Sequence, residues 1–261
     1  MHILICNDDG LDAPGLEALY RACRPLGRVS VVAPAAEQST TSHTVSLRRP
    51  ITVRRVRHDV FGRCFAIDGS PADCVRLAVV ELLDEAVGFV ASGINRGANL
   101  GVDTYYSGTV AGAREAAILG LPAVAVSQYV HRGIPVDWER AIALAAPLLK
   151  QLADGGKAPD RAAAPRWWNV NLPAPVPGRS AVTVQTVPHS TDPMPMEFAR
   201  KGEQDDSSLQ YEYTGPYAKR VARENTDVSV VFGGDVAITP ITVAATEVAY
   251  LDVSFRLPLP D

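Results

Sequence analysis

Cysteine is scarce in this chain, and its spacing suggests no pairing. Cys6, Cys23, Cys64 and Cys74 are spread over 261 residues, with no CxxC pair and no zinc-ligand spacing to histidine. That excludes a disulfide scaffold, and reduced thiols in a cytoplasmic protein are expected. Long apolar runs are missing as well. No stretch approaches the roughly 20 residues that span a bilayer, so no membrane partner is expected. The opening MHILICNDDG has no basic segment ahead of a long apolar one, so no secretory leader is expected. An excess of basic charge is also absent. Lys+Arg is 25 against Asp+Glu 29, a net charge of -4, which argues against a nucleic-acid polymer as partner. The same balance does not exclude a phosphate ligand, because one bound cation reverses the local field. There is no internal repeat and no low-complexity tract.

What is present is enough apolar material for one substantial core, at 47% of residues. Ile3 to Cys6 reads as a buried strand closed by the polar turn Asn7-Asp8-Asp9-Gly10. Pro14 opens a helix with Leu16, Leu19, Tyr20 and Cys23 on one face. Val29 to Val32 is a second strand. Residues 35–67 are an irregular excursion with hairpin character near Ile51-Thr52-Val53. A helix follows Ser70-Pro71, a strand covers Gly88 to Ala91, a helix Val110 to Leu119, a strand Ala123 to Ser127, and a helix 137–152. Strand and helix in alternation predict an α/β fold with a doubly wound, mostly parallel sheet. The last third has clustered prolines, alternating Leu209, Tyr211 and Tyr213 suggesting a hairpin arm, and a terminal strand over Val248 to Phe255. The whole chain, 1–261, is expected to be one domain, with a core over 1–175 and arm and terminal strands over about 176–261; such an arm packs either on another subunit or on its own.

In such sheets ligands bind at the carboxyl ends of the strands. Four polar segments sit there. Asp8 and Asp9 are adjacent carboxylates at a strand end, where a cation would relieve their repulsion, and hard oxygen ligands favour Mg²⁺ or Mn²⁺. The alternative is an Asx-turn ahead of Pro14. Glu37 to His43 is rich in hydroxyls, and Ser39 can complete a metal shell; His43 is either an acid–base group or structural. Ser92 to Gly101 carries glycines at 93, 97 and 101. It matches neither the dinucleotide fingerprint nor a Walker loop, yet it lets backbone N–H groups approach phosphate. Within it, Asn95 can offer a carbonyl oxygen to a metal and Asn99 can donate to phosphate. Ser107-Gly108-Thr109 opens a helix, whose positive end binds anions; plain N-capping is the alternative.

Together these segments resemble the SurE family of survival-protein nucleotidases. The resemblance rests on NDDG at 7–10, AP and EQS within 33–39, DGSPADCV at 68–75, SGINRGANLG at 92–101, YSGTVAGAREAA at 106–117 and GLPAVAVS at 120–127. NVNLP at 169–173 and DVAITP at 235–240 extend it in patches. It implies a Rossmann-like fold with a C-terminal arm used in a homodimer or homotetramer. It further implies a phosphomonoesterase acting on nucleoside 5′- and 3′-monophosphates, with one divalent ion per subunit held by Asp8, Asp9, Ser39 and Asn95. Asp8 or Asp9 would orient an attacking water, and Asn99, Ser107, Gly108 and Thr109 would hold the phosphate oxygens. An aspartyl-phosphate route is the mechanistic rival. Three positions depart from the family pattern: Thr40 where glycine is usual, Ala111-Gly112 where alanine is expected second, and Gly233-Gly234-Asp235 in place of a Gly-Tyr pair. A nucleotide-binding regulatory protein without turnover is the functional rival. A purely structural oligomer leaves the polar loops unexplained.

Overall fold

A computed structural model describes residues 1–131, 133–155, 166–201 and 209–244. Its centre is a nine-stranded sheet. The strands are β1 (His2–Cys6), β2 (Arg28–Pro34), β3 (Val53–His58), β4 (Gly62–Ile67), β5 (Phe89–Arg96), β6 (Ala123–Gln128), β7 (Arg166–Leu172), β8 (Val184–Thr186) and β11 (Val236–Thr242). Two more, β9 (Phe198–Lys201) and β10 (Gln210–Tyr213), form a separate antiparallel pair. The sheet order is β3-β4-β2-β1-β5-β6-β7-β11-β8. All neighbours in it are parallel except β3 with β4 and β7 with β11. This is the doubly wound α/β sheet that the strand–helix alternation implies.

The short apolar runs become strands because both sheet faces are covered. Every residue of β1 and β6 is buried, as a parallel strand between helical layers requires. Helices α1 (Pro14–Cys23) and α4 (Trp138–Gly155) pack together on one face, over Ile3, Ile5, Phe89 and Val124. Helices α2 (Pro71–Leu77) and α3 (Gly108–Ile118) cover the other, over Leu4, Cys6, Val32 and Val90. A capping box starts α2: Ser70 accepts from the Asp73 amide and Asp73 accepts from the Ser70 amide. A short α5 (Asp227–Phe232) precedes β11. None of the described helices is long and apolar enough to cross a membrane.

The chain runs outward from β1 through β2 to β4, then returns to β5 on the other side of β1. That reversal opens a crevice at the carboxyl ends of β1 and β5. The irregular excursion after β2 includes the β3–β4 hairpin, which ends the sheet with Arg54, Arg55 and Arg57 exposed on its outermost strand. The expected hairpin near Tyr211 is the β9–β10 pair. After residue 175, β8 and β11 join the main sheet, so part of the last third belongs to the core. The terminal strand expected over Val248 to Phe255 lies outside the described residues, as does the polar stretch Gln204 to Ser208.

Candidate active site

At the crevice lies a cavity of about 520 Å³. Its lining includes Asp8, Asp9, Ser39, Asn95, Asn99 and Ser107, six of the eight residues singled out from the sequence. They come from the turn after β1, the loop after β2, the end of β5 and the start of α3. Gly10 makes the first turn possible with φ +100, passing close to the Ala36–Glu37 backbone. The Asp8 carbonyl accepts from the Gln38 amide at 2.7 Å, which ties the second loop to the first.

Asp8 is 4% exposed, and burial together with the neighbouring Asp9 charge pushes its pKa up to about 6, against the Thr109 hydrogen bond. Burial also raises Asp9, against an N–H donated by Arg96 at 3.2 Å, and Glu37 adds to the rise. Two carboxylates so placed resist ionising together. A cation between them removes both penalties, and that fits the donor set around it. Ser39 and the Asn95 carboxamide are hard, neutral oxygen donors on the same cavity wall. Asn95 turns its Nδ2 to the Gly97 carbonyl at 2.8 Å, and its Oδ1 has no hydrogen bond among the described residues. Among the described residues no group of three or more His, Cys, Asp or Glu side chains is arranged to hold a metal; the set here has only two ionisable members.

The helix start has a divided role. Ser107 caps α3, accepting from the Val110 amide at 3.1 Å. Thr109 is fully buried and its hydroxyl donates to Asp8 Oδ1. Gly108 lies so close to Asp8 that a Cβ there would stand 2.8 Å from Asp8 Cβ and 2.9 Å from Oδ2. The positive end of α3 is therefore pressed against the acid pair. Asn99 is buried and spends its side chain within the protein, donating to Ser127 Oγ at 2.7 Å. Asn169 and Asn171 both donate to its carbonyl. Asn99 thus fixes the glycine-rich loop to β6 and β7.

The departures from the family pattern have visible settings. Thr40 lines the cavity with φ 58, so it holds the left-handed conformation natural to glycine. Gly112 packs against β1 and β5, where a Cβ would meet Ser92 Oγ at 2.8 Å and Cys6 Sγ at 2.9 Å. Asp235 accepts from the Thr183 amide and from Arg179, joining β8 to β11.

Sequence reasoning missed several wall residues. Arg96 and Asp103 sit in or beside the glycine-rich segment, and an acid so close after Gly101 was a usable signal. Tyr106, Trp138, Met194 and Tyr217 also line the cavity, but the last three come from segments with no motif. Tyr217 donates to Asp103 Oδ2 at 2.7 Å, and Arg220 pairs with the same oxygen. Asp227 accepts from the amides of Gly101 and Ser190, at 2.7 and 2.8 Å. The last third therefore clamps the loop that the first half presents.

Comparison with known proteins bears on the chain as a whole. Residues 3–192 match the family model described as survival protein SurE. The chain is 37% identical over 259 residues to the 5′-nucleotidase SurE of Geobacter sulfurreducens, covering 97% of this chain and 92% of that one. It is 37% identical over 262 residues to the 5′-nucleotidase SurE of Methylococcus capsulatus, covering 97% and 95%. The crystal structure of the SurE protein from Aquifex aeolicus superimposes with a TM-score of 0.77 at 31% identity, covering 96% of this chain and 97% of that one.

Proposed function

Because the chain belongs to the survival protein SurE family, we propose that it is a nucleotidase, a divalent-metal-dependent phosphomonoesterase of nucleoside 5′- and 3′-monophosphates. One observation carries the reading: Asp8, Asp9, Ser39 and Asn95 line one cavity against the positive end of α3. Those four residues would hold one Mg²⁺ or Mn²⁺ per subunit. When bound, the ion acidifies a water and offsets charge on the phosphate.

The remaining work falls to the chain's own groups. Thr109 fixes the Asp8 carboxylate, and the Arg96 amide fixes Asp9. Asp9 Oδ1 has no hydrogen bond among the described residues and would take the proton of the attacking water. The water oxygen bonds to phosphorus, the ester P–O bond breaks, and the nucleoside oxygen leaves and takes a proton from solvent. Ser107 and the amide end of α3 hold the phosphate oxygens, with Gly108 keeping that end within reach of the acid pair. Asn99 acts through the loop it anchors. A cavity of about 520 Å³ leaves space beyond the acid pair for a nucleoside, beside Tyr106, Trp138 and Tyr217.

The test is phosphate release from a panel of 5′- and 3′-nucleoside monophosphates, metal-free, with Mg²⁺ and with Mn²⁺, beside Asp8→Asn. Metal-dependent release that the substitution abolishes is expected. No release by folded, metal-loaded protein would sink the nucleotidase reading in favour of a nucleotide-binding regulator. Four buried, unpaired cysteines support a cytoplasmic setting. The β9–β10 hairpin exposes Phe198 by 58% and Tyr211 by 59%, which supports its use as the arm of a homodimer or homotetramer. Phe198→Ser with Tyr211→Ser is expected to lower the mass measured by sedimentation; an unchanged mass removes the arm from the assembly.

A further inference from the structure

We propose that His43 is a positioning residue, which holds the Ser39 loop over the acid pair by latching it to Glu115 on α3. The inference rests on the metal reading above and adds to it a residue outside the cavity.

The loop between β2 and β3 is pinned beside Ser39 by two backbone bonds and by the Ser42 hydroxyl, which donates to the Tyr105 carbonyl at 2.6 Å. The Gln38 amide donates to Asp8, and the Ser42 amide donates to the Tyr106 carbonyl at 3.1 Å. Between them the chain arches through two left-handed residues that are not glycine, Thr40 at φ 58 and Ser42 at φ 55. Such conformations persist only where the surroundings impose them. Ser39 sits in this arch, exposed, with its hydroxyl donated to Glu37 Oε1 at 2.6 Å. Farther along, the Thr44 carbonyl accepts from Ser70 Oγ, and Ser46 donates twice to Asp73, so α2 restrains the far end.

His43 supplies the side-chain tie to α3. Its Nε2 lies 2.7 Å from Glu115 Oε2, with the two side chains 18% and 7% exposed. The other Glu115 oxygen faces Arg76 Nε at 3.7 Å, beyond hydrogen-bond reach. Among the described residues His43 therefore gives the only hydrogen bond to this buried carboxylate. A buried carboxylate holds its hydrogen-bond partner to a fixed geometry, because separation leaves an acceptor oxygen unsatisfied with only the more distant Arg76 facing the group. The same helix presents Gly108 and Thr109 to Asp8. One rigid element thus sets both the acid pair and the loop that carries Ser39. His43 does not line the cavity, so its part is to position and not to exchange protons with substrate.

The experiment is calorimetric titration of the full, metal-stripped chain with Mn²⁺, with no substrate and no turnover. Removing a partner behind a metal ligand weakens binding by about ten- to a hundredfold, and His43→Ala is expected to show about tenfold. His43→Gln keeps a donor for Glu115 and is expected to recover most of the affinity, which a general loss of stability would not do. Glu115→Met leaves no buried charge behind, so it keeps the test open if His43→Ala fails to fold. It is expected to weaken Mn²⁺ by a similar factor, and the double variant no further, since one latch has been cut twice. Mn²⁺ affinity unchanged in folded His43→Ala or Glu115→Met overturns the latch. Absence of Mn²⁺ binding by the unaltered chain, or full binding by Asp9→Asn, overturns the metal reading itself and the latch with it.

Discussion

The first 130 residues and the stretch from 173 to 244 build the same cavity by different means. The first region places each polar group at the end of a buried strand or the start of a helix, so the topology delivers Asp8, Ser39, Asn95 and Ser107 to one crevice. In its described residues, 173–201 and 209–244, the second region has irregular backbone and few long elements. It contributes Met194 and Tyr217 to the wall and grips the glycine-rich loop through Asp227 and Arg220. The contrast teaches that a site's chemistry and its rigidity can come from separate lengths of chain. Strand ends supply the proposed reacting groups, and buried side chains from a distant segment hold the loop between them.

Three measurements would break or sharpen that contrast. The largest effect is expected from the second region. Arg220 is 6% exposed and pairs with Asp103, while its Nη2 donates to the Leu100 carbonyl at 3.0 Å. Arg220→Met strands a buried carboxylate and is expected to cost about 3–5 kcal/mol of stability, read by urea unfolding. A loss under about 1 kcal/mol would mean that the clamp is decorative. Next comes Gly108→Ala in the first region. Alanine suits a helix start, but its methyl group would push into Asp8, so phosphate release is expected to fall by about a hundredfold with the far-ultraviolet dichroism unchanged. Activity close to that of the unaltered chain would show that α3 and the acid pair need not touch. The smallest expected effect is none at all. Cys6 and Cys23 are fully buried in the first region, and burial pushes both thiols up to about 12. A thiol reagent near neutral pH is expected to leave both unlabelled until the protein is denatured; labelling of the native protein would show that this core opens.

Legibility followed the same division. Apolar runs such as Ile3 to Cys6 read as strands because both faces of a parallel sheet are covered, and turns rich in Asp, Asn and Gly marked their ends. Asp8, Asp9, Ser39 and Asn95 were visible by type and place. Their commitments were not. That Thr109 turns to Asp8, and Asn99 to Ser127, depends on side-chain packing that no local pattern encodes. β7 and β11 pair antiparallel across a long separation in sequence, and neither is flanked by the alternation that marked the parallel strands. Trp138, Met194 and Tyr217 are ordinary residues until the fold brings them to the cavity. His43 stands out as the histidine of the hydroxyl-rich loop, but its partner lies 72 positions away.

An open sheet has two margins, and a margin offers unpaired backbone groups to any strand that arrives. Here one margin is β3, six residues of which three are arginine. A second molecule approaching in the same way would bring guanidinium against guanidinium before a ladder could form. Its own neighbour β4 already sets Arg63 opposite Arg57. The chain can therefore hold a wide sheet in crowded solution without extending it from this side, and any lasting association between copies is steered to surfaces other than this strand.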